Sequence, residues 1–117
     1  MTERRKFMRF NTLLDVHYKK LGTAEQKLKS SLTDLSRDGL KLSGEQSLQK
    51  GSVIEFEIIF PSENLHIFAE GEVTWTSKSE SNNYNSGIRF IKIAPFDRSK
   101  LLDYAYDKWL TEKRNKR

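Results

Sequence analysis

The chain of 117 residues contains no cysteine, and that absence removes disulfides, thiolate metal sites and cysteine nucleophiles together. Its two histidines, His17 and His66, lie far apart, and neither has a second His at metal-ligand spacing. The Gly-x-Ser-x-Gly elbow, the Walker A loop and the Gly-x-Gly-x-x-Gly fingerprint are also missing. Carboxylate pairs such as Glu55 and Glu57 alternate onto one strand face and read as solvated charge. The chain is therefore expected to be a binding module rather than an enzyme, with no cofactor or metal. No apolar run approaches the ~20 residues of a membrane span, the longest being Ile58-Ile59-Phe60. The opening Met-Thr-Glu-Arg-Arg-Lys has no apolar stretch behind it, which predicts no secretory leader and a cytoplasmic location.

Hydrophobic residues at 36% and charged residues at 32% describe a globular domain with one modest core. The net charge of +5 is unevenly placed. Arg4, Arg5, Lys6 and Arg9 against Glu3 put +3 in the first nine residues. Lys108, Lys113, Arg114, Lys116 and Arg117 against Glu112 put +4 in the last ten, which leaves −2 for the body between. A protein that grips nucleic acid through its folded face carries its excess inside the fold.

From Leu13 to Phe90 the pattern is β. Leu14, Val16 and Tyr18 alternate with Asp15, His17 and Lys19 in a first strand. Further strands are expected over 28–35, 39–43, 53–60, 65–76 and 87–93, with Gly71 as a bend in the fifth. Residues 77–86 are rich in Ser and Asn and read as an exposed loop. Leu101, Ala105 and Trp109 then recur every four residues, so a helix is expected over 98–112 with Asp97 as its N-cap. The sum is a mainly β domain: a six-stranded antiparallel barrel with a C-terminal helix packed beside it. Residues 1–11 are expected to form a flexible basic arm, 12–112 the barrel and helix, and 113–117 a basic tail.

Two segments suit an anionic, base-bearing ligand. Arg5 and Arg9 are four apart, with Arg4 beside them, and forked guanidinium groups bind phosphate bidentately or lie flat on a base. Phe7 and Phe10 are expected to anchor this arm. The second segment is Asp34-Leu35-Ser36-Arg37-Asp38-Gly39. Ser36 to Gly39 fits a type I turn with Gly39 where φ is positive. Asp34 and Ser36 would share a face at the barrel rim, and Gly39 would let a ligand approach the backbone. Trp75 and Trp109 read as core residues.

Arg5-x-x-x-Arg9 followed by Asp34-x-Ser36-x-x-Gly39 resembles the paired signature of the PilZ domain, a bacterial receptor for cyclic di-GMP. The resemblance extends through Gly71-Glu72-Val73-Thr74-Trp75 and Gly87-Ile88-Arg89-Phe90, covering about residues 3–110. It implies a split-type barrel in which Arg5 and Arg9 bind phosphates and a guanine, while Asp34, Ser36 and Gly39 line the guanine site. Arg4, preceding the pair, leans toward a stacked pair of ligands. The output would then pass to an effector protein in trans, through ordering of the arm. Two other readings are a small barrel for single-stranded nucleic acid, supported by the basic ends and by Trp75, Tyr84 and Tyr18, and a ligand-free adaptor of the same fold.

Overall fold

A computed structural model of the chain describes residues 10–60 and 65–115. Arg4, Arg5 and Arg9 of the expected binding arm, together with Phe7, lie outside the described residues.

Six strands form one closed barrel: β1 (Phe10–Lys20), β2 (Leu28–Leu35), β3 (Gly39–Gly44), β4 (Val53–Phe60), β5 (Leu65–Lys78) and β6 (Tyr84–Ile93). Around the barrel they run β1, β2, β3, β6, β5, β4, and every pair is antiparallel. The chain thus makes two three-stranded meanders, and the pairs β1–β4 and β3–β6 close them onto each other. Closure leaves no free sheet edge.

Alternation decides which side chains turn inward. Leu14, Val16 and Tyr18 of β1 meet Ile54, Phe56, Ile58 and Phe60 of β4, all buried. Leu32, Leu42, Ile67, Val73 and Ile88 fill the rest of the interior. Fully burying one such side chain contributes roughly 1.5–3 kcal/mol, so the barrel's stability rests on this period-2 pattern.

The helix α1 (Pro95–Asn115) closes over one side. Leu101 and Ala105 are buried, as their spacing predicts. The Tyr104 ring stacks on Phe60 with centroids 4.7 Å apart, and Trp109 packs against the core. The start of the helix differs from the expectation. The Ala94 carbonyl accepts the first helical bond, from the Arg98 N–H at 3.0 Å, and Pro95 occupies the first turn. Ala94 is therefore the cap, Pro95 suits the first helical position because it has no N–H to satisfy, and Asp97 sits inside the turn, facing the positive end of the helix dipole.

Three other boundaries also move. β1 begins at Phe10, so Phe10 and Asn11, assigned from sequence to the arm, belong to the sheet, with Phe10 buried as an anchor. The expected loop over 77–86 shrinks because β5 runs to Lys78 and β6 starts at Tyr84. Cross-strand pairs such as Ser77 with Asn85 carry polar residues in extended backbone there. At the other end, α1 absorbs Lys113 and Arg114 of the expected tail.

Candidate functional site

The turn between β2 and β3 is held by its own side chains. The Ser36 N–H donates to the Gly39 carbonyl at 2.8 Å, and the Ser36 hydroxyl donates to Asp38 Oδ1 at 2.6 Å. The Asp38 carbonyl accepts from the Phe90 N–H at 2.9 Å, which fastens the turn to β6. Ser36 is almost fully buried, so its one O–H proton is committed to the turn, while the oxygen's lone pairs can still accept.

Gly39 is required for a different reason than expected. It is not among the positive-φ glycines, which are Gly22 and Gly51 among the described residues. A Cβ on Gly39 would instead lie 2.1 Å from the Ile88 carbonyl oxygen and 3.2 Å from Arg89 Cα. The missing side chain makes room for β6, not for a left-handed turn.

Asp34, Ser36 and Gly39 come together in one cavity of about 150 Å3, shared with Lys41, Trp75, Gly87 and Arg89. It lies where β3 meets β6, on the seam between the two meanders. Trp75 corrects the sequence reading: it is 41% exposed rather than core. The cause is a bulge. β5 pairs Val73 with Ile88 and Trp75 with Gly87, so Thr74 is an extra residue, and the strict alternation that buries Ile67, Ala69 and Val73 is broken before Trp75. The indole then lies against Gly87, where a Cβ would come within 2.0 Å of Trp75 Nε1. Thr74 Oγ1 donates to the Gly87 carbonyl at 3.2 Å and steadies the bulge.

The charges of this cavity nearly cancel. Asp34 and Asp38 face Lys41 and Arg89, and Arg89 Nη2 already holds Glu72 Oε1 at 2.5 Å. The lining offers a carboxylate, a hydroxyl oxygen and an indole face, which suit a polar aromatic base, and little free cation for phosphate. Its volume is also below the ~300–1,000 Å3 of a complete small-molecule site. The strand register shows what adjoins it: Phe10 is opposite Leu35 and Asn11 opposite Asp34. The chain before Phe10 therefore joins the barrel at the rim of the cavity.

These features coincide with a known family. A family model for the PilZ domain matches residues 3–107. The chain belongs to the PilZ family. Solved structures give the same fold. One is the Bacillus subtilis inhibitor of motility MotI/DgrA, with TM-score 0.81 and 24% identity, aligned over 99% of this chain and 54% of that one. Another is the PilZ domain of Escherichia coli YcgR with c-di-GMP, with TM-score 0.77 and 19% identity over 98% of this chain and all of that one. A third is the Klebsiella pneumoniae MrkH–c-di-GMP complex, with TM-score 0.78 and 16% identity over 98% of this chain and 56% of that one. This PilZ domain thus spans about half the length of the Bacillus and Klebsiella chains. A search of curated proteins gave no match.

Elsewhere on this PilZ domain, His66 has a carboxylate partner. Its Nδ1 pairs with Glu57 Oε2 across β4 and β5, and Lys27 Nζ reaches Glu57 Oε1 at 3.4 Å. Partial burial raises the Glu57 pKa, but His66 and Lys27 outweigh it and hold the carboxyl below its ordinary 4.5. Among the described residues no group of His, Cys, Asp and Glu could hold a metal ion, and no helix is long and apolar enough to cross a membrane.

Proposed function

We propose that this PilZ domain is a cyclic di-GMP receptor whose site is completed by the arginines preceding Phe10. The observation that carries the reading is the register that joins the basic segment to the barrel beside Asp34, at a cavity that supplies base-binding groups but few phosphate-binding ones. Family membership and the c-di-GMP named in the YcgR and MrkH structures agree with it.

In this mechanism one guanine enters the cavity with its N1–H and N2–H2 edge donating to the Asp34 carboxylate. The Ser36 oxygen accepts, and the exposed Trp75 ring borders the base. Arg5 and Arg9 take the phosphates, and five extended residues before Phe10 span ~17 Å, enough to cross the cavity. Ser36 and Gly39 act chiefly by shaping the turn that presents Asp34, since one donates to Asp38 and the other admits β6. Arg4 adds a third cation beside the pair, and two stacked ligands would bring four phosphate charges to offset it. Ordering the segment costs about 1–2 kcal/mol per residue fixed. Charge-assisted hydrogen bonds at ~1.5–3 kcal/mol each offset several such residues. The ordered segment and the adjacent barrel would together form the surface read by an effector protein in trans.

Calorimetric titration with cyclic di-GMP tests the assignment. Arg5→Ala, Arg9→Ala and Asp34→Ala are each expected to abolish tight binding, while the arginine variants melt like wild type without ligand. An arginine variant that binds like wild type removes the arm from the site.

A further inference from the structure

Arg89 lines the ligand cavity, yet its side chain is already engaged outside it. Its Nη2 holds Glu72 Oε1 at 2.5 Å, and Glu72 is not among the residues that line the cavity. The strand register explains this. Arg89 of β6 stands between Gly39 of β3 and Glu72 of β5 in one row across the barrel. On the β5 side it meets a carboxylate. On the β3 side it meets a glycine, with no side chain to occupy the space beside the β2–β3 turn. The next row differs: Gly87 of β6 lies between Lys41 and Trp75, and the indole covers it. The Arg89 side chain is 57% exposed, so it is not packed in place at Glu72. An exposed ion pair of this kind holds its partners only weakly.

We propose that Glu72 holds Arg89 in reserve as a phosphate-binding residue, and thereby sets how tightly this domain binds its anionic nucleotide. The inference rests on the receptor reading for the identity of the ligand. On binding, the guanidinium leaves Glu72, crosses over Gly39 and meets a phosphate oxygen, where its planar fork matches the anion. The cavity has a use for that charge, because Asp34 and Asp38 offset Lys41 and Arg89 in its lining. The Glu72 pair must open first. Only the fraction of molecules with Arg89 released binds at full strength, and the apparent affinity falls by that fraction. Glu72 is thus a positioning residue, acting on the ligand through Arg89. A carboxylate that merely repelled the phosphates would also weaken binding, but that route does not need Arg89, so the two are separable.

The test is calorimetry with cyclic di-GMP on four full chains: wild type, Glu72→Gln, Arg89→Gln and the double variant. Glu72→Gln is expected to tighten binding about two- to fivefold, the range of an exposed ion pair. Arg89→Gln is expected to weaken it at least fivefold, and Glu72→Gln to change nothing further once Arg89 is replaced. Both side chains are on the outer face of the barrel, so the four chains are expected to melt alike without ligand. The Arg89 Nε–H NMR signal reads the movement itself. It is expected to shift when cyclic di-GMP is added to wild type, and to shift in Glu72→Gln without ligand. Equal tightening by Glu72→Gln with and without Arg89 means direct repulsion and overturns the proposal. An Arg89→Gln chain that binds like wild type, or an Arg89 signal indifferent to ligand, overturns it too. Those outcomes leave the receptor reading standing, whereas a wild-type chain that does not bind cyclic di-GMP removes both.

Discussion

Gly39→Ala places a methyl group 2.1 Å from the Ile88 carbonyl oxygen, where ordinary contact begins near 3.4 Å. The obstacle is backbone, so no rotamer change relieves it, and β3 must part from β6 by more than 1 Å at the Gly39–Arg89 pair. Overpacking of this kind costs about 1–3 kcal/mol. A strained or lost hydrogen bond adds ~1 kcal/mol, and the stiffer unfolded chain returns about 0.4–1 kcal/mol. The net is roughly 1–4 kcal/mol, or a fall in Tm on the order of 10 °C for a domain of this size. Urea denaturation and a thermal melt without ligand measure it directly. If Gly39→Ala kept wild-type stability and lost only ligand binding, the glycine would serve ligand approach, and the close-packing account of this turn would be refuted.

Gly87→Ala meets a flexible side chain rather than backbone, so it is expected to cost little stability while displacing the indole, which a shift in the Trp75 emission spectrum would report; an unchanged spectrum would contradict the indole's placement. The Glu57 carboxyl, held below its ordinary value, contributes stability above that value and loses it as pH falls through the folded-state pKa. His66→Ala with Lys27→Ala should therefore flatten the fall of Tm below about pH 5. Burial raises the Tyr18 pKa above its ordinary 10.0, so its contribution is complete below that pH and lost as pH rises beyond it. Tyr18→Phe is expected to shallow the alkaline fall in Tm, and an unaltered alkaline limb would mean that the phenol ionises freely in the fold.

Most of the fold was legible because a single rule governs a closed barrel. Inward positions recur every second residue, and Leu14, Val16, Ile54, Phe56 and Ile58 obey it. The failures fall where that rule is interrupted. Trp75 was read as core because alternation from Ile67 through Val73 points it inward, and the one-residue bulge at Thr74 has no local sequence mark. Gly39 was assigned to a positive-φ turn because turn statistics favour that, whereas the actual demand comes from β6, fifty residues on in the chain. The Glu57–His66 pair was invisible for the same reason, since it exists only through the β4–β5 register. Asp34 and Ser36 were legible as neighbours because they lie two apart at a strand end. Asp38 belongs to the same local turn, whereas Trp75 and Arg89 needed the topology to bring them in.

A crystal structure of the chain grown with cyclic di-GMP tests the central claim most directly. It is expected to show a guanine edge against Asp34 beside the Trp75 ring, with the Arg5 and Arg9 guanidinium groups on the phosphates of the same ligand or stacked pair. A ligand bound away from the β2–β3 turn, or one held there with both arginines turned to solvent, would contradict it.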